Sequence, residues 1–121
     1  MTKSDIGKLG EIKAARFLRD DGYNIISCNF HSRLGEIDII ASKDNFIGFI
    51  EVKTRDENSM FSPTDAVDIK KRKKIIATAQ VYLASFSTNF QPRFDIIEVI
   101  TKNDKIIKIN HIKNAYDALG K

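Results

Sequence analysis

The sequence has few of the features that mark cross-linked, zinc-binding or membrane-spanning proteins. Cys28 is the only cysteine, which excludes an intrachain disulfide and any zinc site built on several thiolates. The longest apolar run, residues 46–50, is far too short to cross a bilayer. Residues 1–18 mix charges with apolar residues and lack the continuous apolar stretch of a secretory signal. We therefore expect a cytoplasmic protein that does not associate with membranes.

The sequence does contain enough apolar residues for one packed core. It has 121 residues, of which 42% are apolar, and this is the usual size of one domain. We therefore expect residues 1–121 to form a single domain. Lys and Arg number 20 against 16 Asp and Glu, so the net charge is +4. This modest surplus is compatible with a polyanionic partner such as DNA but does not identify one.

Apolar residues at helical spacing predict two long helices. The first extends over residues 6–18, with Ser4 or Asp5 as its N-terminal cap. Gly22 follows its end and suits the left-handed conformation found there. The second helix is predicted over residues 63–83, with a proline in its first turn.

Five strands and a short final helix complete the prediction. The helix is expected at residues 114–119, and the strands at 23–30, 36–41, 46–54, 93–101 and 105–112. The first three strands are joined by short connections and are expected to form an antiparallel meander. The order of helix, three strands, helix and two strands predicts a mixed α/β (α+β) domain with helices flanking one sheet.

Charged residues interrupt two of the most apolar predicted strands. Glu51 and Lys53 are two residues apart, so both point to the same face of their strand. Asp38 lies between two isoleucines in the preceding strand. If these strands pair across the turn at 43–45, Asp38 and Glu51 face one point in space. Because burying unpaired charge is costly, this face is either exposed or a functional site.

Two carboxylates facing one point repel each other unless something compensates their charge. A divalent cation can do so, and hard oxygen ligands favour Mg²⁺ or Mn²⁺. Phosphodiester hydrolysis uses such an arrangement, since the metal lowers the pKa of a bound water and neutralises charge on the phosphate. Lys53 could position or deprotonate that water, or stabilise the developing negative charge.

The same residues also allow a simpler interpretation. A Glu-x-Lys pattern on a strand is usually a solvated face, and by itself it does not indicate catalysis. An isolated aspartate such as Asp38 is less common, because Asp is depleted in strands. The sequence pattern alone leaves both interpretations open.

The basic residues have two interpretations as well. Residues 70–74 are consecutive Lys and Arg, and a consecutive run on a helix cannot all point one way. Part of it is therefore a solvated face, and part can contact phosphates with salt-dependent affinity. The candidates for nucleic-acid contacts are cations on this helix or near predicted strand ends: Arg33, Arg55, Lys70 and Lys73.

Structural roles are expected for the remaining unusual residues. Cys28 is predicted to be a small core residue. Asp95 lies in a predicted strand and is expected to pair with Arg93 or with a helix residue. His31 and His111 have no partner at metal-ligand spacing, so ordinary structural or surface roles are expected.

The combination of GEID at residues 35–38 and EVKTR at residues 51–55 resembles the UPF0102 (YraN-like) family. The resemblance covers nearly the whole chain and includes residues 7–11, 70–79 and 93–95. That family is similar to the PD-(D/E)XK nuclease superfamily and, in its pattern, to archaeal Holliday junction resolvases. The resemblance implies a restriction-endonuclease-like core in the order αβββαβ, with a central mixed sheet flanked by helices.

The resemblance also implies a role for each matching residue. Asp38 matches the superfamily's metal-binding aspartate, Glu51 its second acidic ligand and Lys53 its lysine. Glu11 matches an acidic residue on the first helix of resolvase-like members, where it is a further metal ligand or orients one. In one departure, Ile37 stands where the superfamily has a proline before the aspartate.

The implied function is a Mg²⁺- or Mn²⁺-dependent endonuclease acting on DNA, including branched or structured DNA. The alternative is a binding module that keeps the nuclease fold without turnover. Clustered carboxylates argue against that alternative, because they repel phosphate. Resolvase-like relatives dimerise, so the resemblance also implies a homodimer.

Overall fold

The computed structural model describes residues 1–121 and contains three helices and five strands. The helices are α1 (Lys3–Asp20), α2 (Pro63–Ala66) and α3 (Ile69–Ser85). The strands are β1 (Asn24–Ser32), β2 (Gly35–Lys43), β3 (Phe46–Asp56), β4 (Gln91–Lys102) and β5 (Lys105–Tyr116). The predicted mixed α/β class is confirmed, and the αβββαβ order is present.

All five strands form one sheet, in the order β1-β2-β3-β4-β5. β1, β2 and β3 are the predicted antiparallel meander. β3 and β4 are parallel, because helices α2 and α3 carry the chain back between them. β5 returns antiparallel to β4. The sheet is therefore mixed, and β3 lies at its centre.

The helices cover the two faces of the sheet and divide the core into two parts. On one face, Leu18 of α1 belongs to a buried cluster with Ile50 and Val99. On the other face, Tyr82 of α3 packs edge-on against Phe49. Consecutive residues of β3 therefore serve opposite cores, which explains why this strand is apolar on both sides.

The start of α1 differs from the prediction. Thr2, and not Ser4 or Asp5, is the N-terminal cap, because its hydroxyl accepts the backbone N–H of Asp5. The Asp5 carboxylate in turn accepts the N–H of Thr2, which completes a capping box. Gly22 follows the helix at φ +91°, as predicted. None of the three helices is both long and apolar enough to cross a membrane.

The predicted second helix is interrupted, and the predicted final helix is wrong. The chain leaves helical geometry at Val67, and the Asp68 side chain accepts the Lys71 N–H to begin α3. At the C-terminus, β5 continues to Tyr116 instead of giving way to a helix at 114–119. The strand continues because the Asn114 N–H donates to the buried Asp95 carboxylate and Tyr116 stacks on an aromatic ring of β4.

The prediction for Cys28 is also wrong, because this cysteine is exposed. β1 is an edge strand of the sheet, and most of its residues are exposed or half-buried. The sequence pattern identified a strand here but not its position at the edge, where a small apolar side chain remains accessible.

Candidate metal centre

The candidate centre lies where β2 and β3 separate. Their ladder ends at the pair Ile39–Ile50, so the next backbone groups of β3 have no partner on β2. The Asp38 side chain fills this position, and its Oδ2 accepts the Val52 N–H at 2.8 Å. An aspartate stands within an apolar strand because its carboxylate replaces a missing ladder bond.

Glu51 follows the last residue of β3 that pairs with β2, and only 5% of its surface is exposed. Burial, followed by the negative charge of Asp38, raises the pKa of Glu51 from its ordinary 4.5 to about 7. The positive charges of Lys71 and Lys53 oppose this rise. Glu51 is thus a buried carboxyl that is only partly ionised near neutral pH.

Glu11 reaches the same place from α1. The helix lies so close to β3 here that a side chain at Gly10 would collide with Thr54. Burial, and then the charge of Asp38, raises the pKa of Glu11. Asp38 is close enough to both Glu11 and Glu51 for a protonated carboxyl on either to hydrogen-bond to it.

Lys53 lies two residues beyond Glu51 on β3 and is half-buried. It lines a cavity of about 680 Å³ together with Glu11, Asp38 and Glu51. The structure therefore brings together the four residues that were predicted to carry the chemistry. Their catalytic and metal-binding roles stay predictions.

The donor set fits a hard divalent cation of the Mg²⁺ type. Asp38 and Glu51 present oxygen ligands to the same cavity, and a cation between them would relieve their mutual repulsion. No group of three or more His, Cys, Asp or Glu side chains is disposed to hold a metal ion. Mg²⁺ commonly uses only one or two protein carboxylates and completes its shell with water and substrate phosphate. Asp38 and Glu51 match that mode of binding.

Comparison with known proteins places this chain in a family. The sequence model of "Uncharacterised protein family UPF0102" matches residues 10–99. The chain belongs to the UPF0102 family. A UPF0102 protein of Caldanaerobacter subterraneus is 46% identical over 119 residues, covering 96% of this chain and 98% of its own. One from Parabacteroides distasonis is 40% identical over 116 residues, covering 96% and 95%. Family and fold do not determine a function, which depends on the residues of the site.

One basic residue lies within ion-pair distance of the carboxylates of this UPF0102 protein, and it is not among the four named candidates for nucleic-acid contacts. Lys71 Nζ lies 3.8 Å from Glu51 Oε1. Lys71 and Lys74 also line a cavity of about 460 Å³ with Arg33 of the β1–β2 turn. The signal was present in their spacing, since residues three apart share a helix face. The sequence did not show which face of α3 turns toward the carboxylates.

The four predicted nucleic-acid contacts lie in different environments. Arg33 is exposed beside Lys71 and Lys74. Lys70 and Lys73 are exposed on α3 but line neither this cavity nor the carboxylate cavity. Arg55 pairs with the buried Glu98 and donates to the carbonyls of residues 59 and 61. Arg55 thus holds the loop after β3, and its contact with DNA stays a prediction.

The expected pairing of Asp95 with Arg93 is confirmed, and the network extends further. Arg93 donates two hydrogen bonds of 2.9 Å to Asp95. His111 Nε2 lies 2.7 Å from Asp95 Oδ2. The other histidine, His31, pairs at the surface with Glu36. Both histidines have the ordinary roles expected of them.

Proposed function

We propose that this protein is a Mg²⁺- or Mn²⁺-dependent endonuclease that hydrolyses phosphodiester bonds in DNA, including branched or structured DNA. One observation carries the proposal. Asp38 and the buried Glu51 meet where β2 and β3 separate, with Lys53 lining the same cavity. A carboxylate pair with a neighbouring lysine is the arrangement that metal-assisted phosphodiester hydrolysis needs.

Each residue of the centre has a different role in this proposal. Asp38 and Glu51 hold the cation, and the Val52 N–H fixes the orientation of the Asp38 carboxylate. Glu11 orients Asp38 from α1. When bound, the cation neutralises phosphate charge and lowers the pKa of the attacking water. Lys53 positions that water or stabilises negative charge as it develops on the phosphate.

DNA approaches over the positive surface beside the carboxylates. Arg33, Lys71 and Lys74 line one cavity there, and Lys71 also contacts Glu51. Phosphates bound by these cations are held next to the carboxylate pair. Lys70 and Lys73 extend the basic surface along α3 and add salt-dependent affinity. DNA as the substrate also favours a cytoplasmic location.

The test is cleavage of a panel of branched, single-stranded and duplex DNAs with Mg²⁺ or Mn²⁺. We expect wild type to cut at least one of them. We expect Asp38→Asn and Lys53→Ala to reduce the rate at least about a hundredfold, as loss of an electrostatic stabiliser does. The matched control Glu57→Gln changes an exposed carboxylate outside the cavity and keeps the wild-type rate. Equal cutting by wild type, Asp38→Asn and Lys53→Ala would refute the assignment.

A second candidate is a nucleic-acid-binding module without turnover. The observation that favours it is the lack of a third protein ligand beside Asp38 and Glu51. Calorimetry with Mg²⁺ and Mn²⁺ separates the two functions. Measurable DNA binding with no affinity for either cation would establish the binding module in place of the nuclease.

A homodimer is the assembly that we propose. Symmetric dimers are the commonest oligomers, and two copies present two centres to two DNA strands. Sedimentation at working concentration tests this directly. A monomeric mass would remove the dimer but leave the metal centre intact.

A further inference from the structure

A second cavity lies between α1 and the edge strand β1, and its volume is about 590 Å³. Ile12 and Ala15 line it from α1, and Ile25 and Ile39 line it from the sheet. Ile12 is 58% exposed although it lies in the middle of a helix. This groove is therefore an accessible apolar slot of the size that holds a small organic ligand.

The groove continues into the candidate metal centre. Glu11 and Asp38 line both the groove and the cavity that contains Glu51 and Lys53. The two cavities therefore share one wall. A ligand with one end at the metal centre can place its next chemical group in the groove.

The groove also carries positive charge at a distance from the carboxylates. Arg16 and Arg19 line it, and neither forms an ion pair within the chain. Arg19 is eight positions after Glu11, which is about 12 Å along a helix. An anion bound by the arginines and a group bound at the carboxylates can therefore belong to the same small ligand.

We propose that this groove binds the base of one unpaired nucleotide whose phosphate lies at the metal centre. The inference rests on the proposed function, which places that phosphate at Asp38 and Glu51. The apolar walls accept the base, and Arg16 and Arg19 contact the following phosphate or stack on the base. Asn24 and Asn29, which also line the groove, supply amides that can hydrogen-bond to the edge of the base.

An unpaired nucleotide fits these features better than a peptide does. Along the groove, the carboxylates come first, the apolar slot next and the arginines last. In a nucleotide chain, these positions match a metal-bound phosphate, a base and a second phosphate. A base inside a duplex cannot enter a slot, so the groove selects DNA in which a base is already unpaired or is readily unstacked. The substrate class is therefore DNA with a single-stranded or bulged nucleotide at the cleavage position.

The test uses Cys28, the only cysteine, which is exposed and lines the groove. Alkylation of the folded protein with N-ethylmaleimide fills the groove without a mutation that could impair folding. Affinity is measured by fluorescence anisotropy in Ca²⁺, with the DNA checked to be intact. The two probes are a duplex with one bulged adenosine and the same duplex with an abasic nucleotide at the bulge.

We expect unmodified protein to bind the bulged adenosine about tenfold more tightly than the abasic probe, the effect of one bound base. Alkylation should reduce this preference to less than twofold. The matched control, Cys28→Ser treated with the same reagent, should keep the tenfold preference. Equal affinity for the two probes in unmodified protein, or a preference that survives alkylation, would overturn the inference.

Failure of this inference and failure of the proposed function give different results. A base preference that alkylation removes, in a protein that cuts no DNA, supports the groove and rejects the nuclease. DNA cleavage with equal binding of the two probes supports the nuclease and rejects the groove. If alkylation instead dissociates a dimer while both probes bind equally, the groove is an interface between copies and the inference is wrong.

Discussion

Glu51 differs from an ordinary surface glutamate both in its burial and in its pKa. Its pKa is raised to about 7, first by burial and then by Asp38, so folding favours the protonated form. The metal-free protein therefore loses stability as the pH rises from 4.5 to 7. At pH 8 the ionised carboxylate costs the folded state about 1–3 kcal/mol, on the scale of 1.4 kcal/mol per pKa unit.

Glu51→Gln should remove this cost, because glutamine is neutral at every pH. Urea unfolding in EDTA should show the variant to be about 1–3 kcal/mol more stable than wild type at pH 8. The difference should shrink toward zero near pH 5. The control Glu57→Gln, at an exposed site, should show neither effect. A Glu51→Gln variant that is less stable than wild type at pH 8 would contradict this account of the site.

Asp95 shows the opposite behaviour, since its charge is fully compensated. Burial raises the pKa of Asp95, but hydrogen bonds from His111, Arg93 and the Asn114 N–H more than reverse this and leave it lowered. The carboxylate therefore stabilises the fold above its unfolded pKa, and this contribution is lost as the pH falls through its folded pKa.

Asp95→Asn should destabilise the protein by about 3–5 kcal/mol, because it leaves Arg93 and His111 without their buried partner. The exposed control Asp20→Asn should change the free energy of unfolding by less than about 0.5 kcal/mol. Asp95 does not line the carboxylate cavity, so Mn²⁺ affinity of the folded variant should equal that of wild type. A loss of metal affinity without a loss of stability would assign Asp95 to the centre instead.

Sequence alone placed Asp38, Glu51 and Lys53 correctly, because alternation along a strand and a short turn fix which side chains are neighbours. It could not place Lys71, since the helix face that meets Glu51 depends on how α3 packs. It also misjudged Cys28, because the order of strands in a sheet determines which strand is an edge. Alternation and a short turn therefore predict contacts between neighbouring strands of a hairpin, but they do not predict how a helix packs on the sheet or which strand lies at its edge.

At the scale of elements, the position of α1 is set by its approach to β3. Gly10 faces Thr54 so closely that an added Cβ would collide with its hydroxyl. Gly7, one turn earlier, has open space around it. The two glycines thus have the same helix propensity, but only Gly7 has room for a side chain.

Gly7→Ala should stabilise the protein by about 0.5–1 kcal/mol, because alanine is the better helix former. Gly10→Ala should destabilise it despite the same gain and should weaken Mn²⁺ binding, because α1 and with it Glu11 move away from Asp38. Adding Thr54→Ala to Gly10→Ala removes the colliding hydroxyl and should restore both properties. Chemical denaturation and calorimetry measure them, and equal stability of Gly7→Ala and Gly10→Ala would disprove the close approach.

The sequence predicted helices and strands well where a regular hydrophobic pattern extends over many residues. It predicted them poorly where tertiary contacts determine the local conformation. The three strands of the meander and α1 follow from their periodicity. Residues 114–119 have helical spacing, but the hydrogen bond from Asn114 to Asp95 continues β5. The break before α3 comes from Asp68, whose capping role was hidden by the regular apolar spacing around it.

At the scale of the whole molecule, the net charge is +4, but DNA binding depends more on where the charges lie than on their sum. Arg33 and Lys74 line one cavity beside the centre, whereas Lys105 and Lys108 are exposed on β5. The double variants Arg33→Ala/Lys74→Ala and Lys105→Ala/Lys108→Ala remove the same total charge. They therefore separate local contacts with phosphate from the overall field of the protein.

Arg33→Ala/Lys74→Ala should lower the slope of log affinity against log salt by about 2, since each lost phosphate contact contributes about 0.9. Lys105→Ala/Lys108→Ala should leave the slope nearly unchanged. Affinity for duplex DNA is measured across a series of salt concentrations. Equal slopes for the two double variants would mean that DNA does not follow the surface between α3 and the β1–β2 turn.

The central claim is that Asp38 and Glu51 together hold a divalent cation. Titration calorimetry of Mn²⁺ into wild type, Asp38→Asn and Glu57→Gln at pH 8 tests it most directly. Asp38→Asn keeps an oxygen for the Val52 N–H, so the local structure is preserved while the ligand charge is lost. We predict one Mn²⁺ per chain for wild type and Glu57→Gln, and an affinity at least about tenfold weaker for Asp38→Asn. Undetectable binding by wild type, or unchanged affinity in Asp38→Asn, would contradict the claim.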